Sequence, residues 1–499
     1  MRDSRKPASI AVSLVLAAGA VVAAIAMVLW NLTRNGLWVD EMYSLHAIEM
    51  PFREMCMYRI QRGHFPTYFL MLKGVVEAMG GPTEVSLRVL SVVCWVLGIG
   101  LFIPLAFRML ERHAALIAIT LFSLNGLALR QAVEARMYTL VLLLAVLLAH
   151  AYLRLVAGEV RRRWNVALIV FSVFGLWVSA SFFLLLLALL YDAWRRRREN
   201  FGLLKWMIWS VLIAAATLLP LAVLHVSTAR QNEIAGTKAY NILVHLVTFV
   251  TGVAGNDDYY ESNTLLFWEQ CIGGVLAVSL LAALWQRRRG LLPVEAACSR
   301  ILLFPIILMF VSWLADQITG LHLSLLGPGR YLMGLAPFGA LLAGALIAGN
   351  LPTVSVSICH VLVTAFLAFA GSTILTIQTE PFREMLARLK TDYEPGDGLI
   401  VVPGEIVEGV SLYLPNAHID AAFSRWQGDN AQMEQDLNAL KSRRTVWLIW
   451  YRGGESQAMK VAEQILGPAQ SSSLSKKYGK MRFFRFDPLE HKPEKDGAT

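Results

Sequence analysis

The sequence predicts a polytopic α-helical membrane protein with a small α/β domain at its C-terminal end. Three observations carry that expectation. The 499 residues are 56% hydrophobic and only 16% charged, with a mean hydropathy of +0.53, whereas a soluble domain is about 25% charged. Apolar runs at 9–30, 85–110, 204–224 and 354–377 each reach the ~20 residues that span a hydrocarbon core about 30 Å thick. Beyond residue 378 the long runs stop, and short apolar strands alternate with amphipathic helical stretches.

The first apolar run follows MRDSRKP. It is longer than the roughly 7–15 residue apolar region of a signal peptide, so it reads as an uncleaved first spanning helix. The formal net charge of +9 raises the question of nucleic acid. Its distribution argues for a bilayer instead, because basic residues cluster in short breaks between apolar runs, at 111–113, 161–163, 195–198 and 287–289. Short basic loops face the cytoplasm. Alternating from a cytoplasmic N-terminus gives about eleven spans and an outer C-terminus. The predicted domains are therefore 1–378 in the membrane and 379–499 outside it.

One segment strains the alternation. Residues 164–194 lie between two basic breaks that belong on the same side, so parity requires a hairpin. Two full spans need about 40 residues, and this stretch is shorter. Ser179-Ala180-Ser181 is the expected tip. A tip at membrane depth is tolerable where protein or a watery cavity lines it. A single long helix is the alternative, and it would invert everything downstream.

Outer segments are then expected at 31–84, at 225–263 and after 378. Within the first, FPTYFLMLKGVVEAMG is apolar but interrupted by Lys73 and Glu77, as in a helix lying along the interface. NILVHLVTFVTGV in the second reads the same way. In the C-terminal part, PFREMLARLKTDY, EIVEGVSLYL, NAQMEQDLNALKS and ESQAMKVAEQIL read as helices. GLIVV, HIDAAF, TVWLIWY and MRFFRF read as strands, with TVWLIWY as a buried central one. No glycine-rich phosphate motif opens these helices, so a dinucleotide site is unsupported. Five cysteines without paired spacing suggest neither a disulfide framework nor a zinc site. Trp447 and Trp450 read as core residues before sugar-stacking ones, and Trp426 stays open.

Candidate chemistry sits in the outer segments. NGLWVDEMYSLHAIEM (35–50) places Asp40 beside Glu41 just beyond the first span, flanked by Trp38 and Tyr43. A solvated loop explains acidic residues there equally well, but interface aromatics put the pair near the membrane surface, where partial desolvation suits a general base. Arg130, Glu134 and Arg136 lie in LRQAVEARMYTL, Arg330 in GPGRYLMGLAP, and Arg88 in VSLRVLSVV. These arginines oppose the positive-inside bias. A cation at membrane depth costs several kcal/mol unless it is paired, so each needs a partner. Internal pairing, for instance of Arg136 with Glu134 or Asp40, is one answer. An anionic head group is the other, since guanidinium forks fit phosphate oxygens. His64, in GHFPTYF, is either a loop histidine or part of such a site.

The order WVDEMYSL, GHFPTYFLMLK, SLRVLSVV, EARMYTL and GRYL with a later proline resembles the GT-C membrane glycosyltransferases. The nearest group holds the dolichyl-phosphate-mannose–protein mannosyltransferases and the bacterial aminoarabinose transferases. The resemblance covers roughly residues 8–370. It implies an inverting hexosyl- or pentosyltransferase of the inner membrane, using a polyprenyl-phosphate sugar on the outer face. Lipid, polysaccharide or protein would be the acceptor, with membrane lipids but no nucleic acid as partners. Asp40 would match the catalytic aspartate, with Glu41 completing the pair. Arg88 would match the arginine of an LR-x-x-S turn, and Arg136 and Arg330 would join it at the donor phosphate. His64, Glu134, Tyr138 and Tyr331 would contact substrate. His64-Phe65-Pro66 departs from the His-Pro-Pro of many relatives, and Ser179-Ala180-Ser181 from their Thr-His-Tyr-like tip.

The sequence makes no cofactor certain. Asp40 and Glu41 could share a divalent cation through oxygen ligands, and the sequence leaves that open. A transporter or flippase is the competing class, but such proteins show repeated halves and helices broken at the midplane, which this chain does not clearly display. A non-catalytic membrane scaffold is a third reading, under which Asp40 and the outer arginines would be dispensable.

Overall fold

A computed structural model describes residues 7–159, 161–228, 264–319, 329–376, 382–423, 430–451, 457–471 and 481–488. The expected outer helix NILVHLVTFVTGV and Trp426 lie outside the described residues. The chain folds into two compact units. The first holds residues 1–34, 51–75 and 85–377, and the second holds 35–50, 76–84 and 378–499. A single cut at 378 therefore does not describe the division, because two pieces of the first outer segment group with the C-terminal part.

In chain order the helices up to residue 376 are α1 (Pro7–Asn31), α2 (Val39–Glu49), α3 (Phe52–Gln61), α4 (Thr67–Ala78), α5 (Glu84–Met109), α6 (Arg112–Ser123), α7 (Gly126–Ala132), α8 (Tyr138–Val156), α9 (Arg162–Val178) and α10 (Phe182–Arg195), then α11 (Phe201–Thr228), α12 (Thr264–Arg287), α13 (Pro293–Thr319), a 3₁₀ turn at Gly329–Leu335, α14 (Ala336–Asn350) and α15 (Thr353–Thr376). Among the described residues six helices are long and apolar enough to cross a membrane, or seven if α6 and α7, bent by 47°, count as one span. The count of about eleven is not reached by that measure. Part of the difference is the hairpin, whose helices have 17 and 14 residues, short of the ~20 of a full span. Apolar side chains such as Val15, Leu219, Val275, Ile318 and Val354 stand exposed along α1, α11, α12, α13 and α15. Lipid solvates such surfaces, and water does not.

The interior of the first unit is built on α6, α8 and α14, which are buried along most of their length. Gly344 lets α14 lie against α6. A Cβ there would fall 2.5 Å from the Ala114 carbonyl oxygen and 2.9 Å from Ala118 Cβ. Small residues permit such backbone approach where no hydrophobic effect drives helices together. Polar stitches add to it: His113 Nδ1 meets Ser13 Oγ at 3.3 Å, and His360 Nε2 meets Thr120 Oγ1 at 2.9 Å, all buried.

The hairpin expected from parity is present. Asn200, just before α11, donates to the carbonyl of Leu155 near the end of α8 at 3.3 Å. The two basic breaks thus lie side by side. At the far end, Trp177 Nε1 donates to Thr217 Oγ1, sixteen residues into α11, at 3.1 Å. Sixteen residues of helix rise about 24 Å, so α9 runs up and α10 returns. Asp192 on α10 is fully buried and accepts from Tyr152 Oη at 2.7 Å, Arg196 Nε at 3.1 Å and Arg300 Nε, joining α8, α10 and α13.

The second unit contains α16 (Phe382–Asp392), β1 (Gly398–Val402), α17 (Val407–Tyr413), β2 (Ala421–Ala422), α18 (Asn430–Ala439), β3 (Val446–Tyr451), α19 (Gln457–Leu466), β4 (Gln470–Ser471) and β5 (Met481–Phe486). The sheet order is β2-β1-β3-β5-β4. β1 is parallel to β2 and β3, and β5 is antiparallel to β3 and β4. β3 is central, with every residue buried, which is why its sequence is continuously apolar. Ile400, Leu448 and Trp450 pack on one face under Leu437 of α18 and Leu466 of α19. Trp447 is buried and donates from Nε1 to Asp397 at 3.0 Å, so both tryptophans are core residues.

Candidate functional site

Two sets of candidate residues lie on different units. In the first unit, the segment between α7 and α8 leaves helical geometry at Val133–Met137 while staying buried. Its polar groups must be satisfied by protein. Arg130 Nε donates to Glu134 Oε1 at 2.7 Å, and Gln131 Nε2 donates to Glu134 Oε2 at 3.1 Å. Internal pairing therefore occurs, with Arg130 as a partner of Glu134, and both carboxylate oxygens have local donors. Ser91 Oγ on α5 donates to the Arg136 carbonyl at 3.2 Å and meets Tyr68 Oη at 3.0 Å. One serine thus ties α4 and α5 to the backbone that presents Arg136. Arg88, one turn earlier on α5, donates to the Leu32 carbonyl beyond the end of α1 at 2.6 Å.

Around His64 the first unit gathers cations. His64 is half-buried, and burial, then Arg59, Arg136, Arg330 and Arg62, hold its imidazole well below the usual range. The ring is therefore neutral at pH 7. Arg330 sits in the 3₁₀ turn with its guanidinium carbon 5.7 Å from the Tyr138 ring centre, and Tyr331 lies 6.0 Å from the same ring. Tyr138 is 1% exposed, and its hydroxyl has no hydrogen-bond partner among the described residues. Thr67 Oγ1 donates to the Trp177 carbonyl at 2.7 Å, which brings the hairpin end beside the His64–Thr67 turn.

Arg59 is a member of this cluster that the sequence reading misses. It is buried near the end of α3, with its guanidinium carbon 3.8 Å from the Phe69 ring centre. The available signal is the run YRIQRGH, two arginines in a predicted outer segment, which the positive-inside argument flags as it flags Arg88.

In the second unit, Asp40 and Glu41 occupy the first turn of α2. Asp40 is half-buried and Glu41 fully buried. Glu41 Oε2 accepts from the Trp38 backbone N–H at 3.2 Å, the reciprocal arm of a capping box. Trp38 is buried. Among the described residues no group of three His, Cys, Asp or Glu side chains is placed to hold a metal ion; Asp40 and Glu41 supply at most a pair of ligands.

The cluster around His64 suits a bound anion, because several guanidiniums and a neutral imidazole converge where burial strengthens their field. The first turn of α2 carries the two carboxylates of Asp40 and Glu41.

The chain is similar to ArnT from Cupriavidus metallidurans in the apo state, over 94% of this chain and 97% of that one, at 12% identity and a TM-score of 0.55. ArnT from the same organism bound to undecaprenyl phosphate matches over 93% and 97%, at 12% identity and a TM-score of 0.51. The Archaeoglobus fulgidus oligosaccharyltransferase in the apo form matches over 92% of this chain and 69% of that one, at 12% identity and a TM-score of 0.50. No family model matches the sequence, and no curated relative does.

Proposed function

We propose that this chain, a protein of the GT-C glycosyltransferase fold, transfers a monosaccharide from a polyprenyl phosphate to a hydroxyl acceptor with inversion. The observation that carries the reading is the gathering of Arg59, Arg62, Arg136 and Arg330 around a neutral His64, with the Tyr138 hydroxyl buried beside Arg330. A phosphate leaving group needs fixed cations more than a strong acid. Arg136 and Arg330 would hold its oxygens, and His64, Tyr138 and Tyr331 would orient the phosphate and sugar. Arg88 and Glu134 would act through the backbone and side chains they fix.

In this reaction the acceptor oxygen forms the new bond to the anomeric carbon. The bond from that carbon to the phosphate oxygen breaks, and its electron pair leaves with the phosphate. Asp40 takes the acceptor proton, with Glu41 holding the turn that presents it. Attack from the face opposite the phosphate inverts the centre, as an opposed base does in inverting glycosidases. Basic breaks carrying Arg163 on Trp164, Arg197 on Trp194 and Arg288 on Trp285 support a cytoplasmic N-terminus in the inner membrane. Transfer is then assigned to the outer face, with the second unit extracytoplasmic and about eleven spans in all.

Mass spectrometry of lipids co-purifying with the full chain tests the donor class. The expected result is a polyprenyl phosphate or its monosaccharide in wild type, depleted in Arg136→Gln. Release of undecaprenyl phosphate from synthetic undecaprenyl-phosphate monosaccharides tests the chemistry. Asp40→Asn should lose at least about 100-fold in turnover. Wild-type turnover by a folded Asp40→Asn protein removes Asp40 from the mechanism.

A further inference from the structure

The helix that carries Asp40 is built into the second unit by contacts far apart in sequence. His46, in the last turn of α2, meets Glu408 Oε2 of α17 through Nδ1 at 2.8 Å. Just before α2, the Leu37 N–H donates to Tyr413 Oη at 2.7 Å, and that hydroxyl donates to Glu84 Oε1 at 2.7 Å. Glu84 also accepts from Arg383 of α16 at 3.0 Å. Between these two nodes, Gly409 lies against Met42. A Cβ there would fall 2.7 Å from Met42 Cγ, so glycine is what lets α17 lie flush on α2.

These contacts sit at both ends and in the middle of a helix of only 11 residues. A helix that short is marginal alone in water, so its axis and rotation are set by what it packs on. Burial and the carboxylates of Glu84 and Glu41 raise the Tyr413 phenol above its usual range, so the hydroxyl keeps its proton and its donor role. A unit serving only to cover a cavity or bind acceptor would need none of these contacts to α2.

We infer that the C-terminal unit is the positioning body for Asp40: Glu408, Gly409 and Tyr413 of α17 fix the rotation and entry of α2, and so the direction of its carboxylate. This rests on the reading of Asp40 as the base. The three are positioning residues, since none is assigned a contact with substrate.

The test uses the full chain with synthetic undecaprenyl-phosphate monosaccharides, reading release of undecaprenyl phosphate. Tyr413→Phe and Glu408→Ala should each lower kcat about tenfold with KM for the lipid donor within about twofold, and Glu408→Gln, which can still bond His46, should recover most of the loss. Hydrogen exchange at residues 39–49 should rise in the two damaging variants while β1 and β3 stay protected. Wild-type kcat in a variant whose 39–49 exchange has risen overturns the inference, as does a rise in KM with unchanged kcat.

Should those variants fail to fold, Met42→Cys with Gly409→Cys gives an independent answer. Oxidation locks α2 to α17, and at least about half of the reduced protein's activity should remain, since a correctly placed cross-link leaves native geometry intact. Activity lost on oxidation and restored by reduction means that α2 must leave α17 to work, and the inference falls. Activity in Asp40→Asn instead overturns the reaction reading, which separates the two failures.

Discussion

Ser91 Oγ donates to the backbone carbonyl of Arg136 at 3.2 Å, and the same hydroxyl meets Tyr68 Oη at 3.0 Å. This side chain from a neighbouring helix holds a buried non-helical segment. Ser91→Ala removes one hydrogen bond from a buried carbonyl and one from a buried phenol, at a cost of about 1–3 kcal/mol. The Arg136 backbone should shift as a result. Affinity for undecaprenyl phosphate, measured by native mass spectrometry, should fall roughly 3- to 10-fold, since about 1.4 kcal/mol is tenfold. Ser91→Thr, which keeps the hydroxyl, should fall less.

His64 supplies a prediction in pH. Its folded value is lowered, by burial first and then by four arginines. Stability linked to it is therefore fully present above the unfolded value of about 6.5, and is lost as pH falls below that toward the folded value. The melting temperature of the detergent-solubilised protein should drop between pH 7 and 5.5, and drop less in His64→Gln. Equal slopes in the two proteins would mean that neither burial nor the arginines perturb His64.

Arg59 can be tested without changing length much. Arg59→Met keeps the packing on Phe69 but removes one cation from the cluster, and Arg59→Lys keeps charge but not the planar stack. Undecaprenyl phosphate affinity should fall about tenfold in the first and less in the second. Equal, wild-type affinity in both would confine Arg59 to packing.

What can be read in the sequence follows what the bilayer penalises. Long apolar runs, basic breaks and the hairpin at Ser179–Ser181 are legible because an unpaired backbone or cation in lipid costs several kcal/mol. The strands of the second unit are legible because β3 is buried on both faces; the edge strand β4, two residues long, leaves no pattern. The partners of Glu134 are not set by spacing, since Arg130 at i−4, Gln131 at i−3 and Arg136 at i+2 are all near in sequence; the helix ending at Ala132 is what brings Arg130 and Gln131 onto its two oxygens. The attachment of α2 to α17 is invisible. His46 and Glu408 lie 362 residues apart, and no periodicity in either helix announces the other.

Packing in the first unit gives a stability prediction free of any functional reading. Gly344 faces Ala114 and Ala118 with no room for a Cβ. Gly344→Ala should separate α14 from α6 locally and destabilise by about 1–3 kcal/mol, as overpacking does, and Gly344→Leu should abolish the folded monodisperse species on size exclusion. Gly74, where a Cβ meets nothing within 4 Å, is the control, and Gly74→Ala should fold normally.

Asp192 provides the sharpest contrast between removing a charge and removing a partner. Its carboxylate, fully buried, is shared by Arg196, Arg300 and the Tyr152 hydroxyl. Asp192→Ala leaves two cations facing each other without their anion, and breaking a buried ion pair in this way costs about 3–5 kcal/mol. Asp192→Asn keeps one carbonyl acceptor, enough for one of the two guanidiniums, and should cost less than Asp192→Ala. A second change should rescue the first: Arg300→Met with Asp192→Asn removes one cation along with the charge, and its melting temperature should exceed that of Asp192→Ala. These residues lie on α8, α10 and α13 and are given no part in catalysis. Each variant that still folds should therefore keep its turnover per folded molecule, and a selective loss of turnover would mean that this network shapes the site from within the first unit.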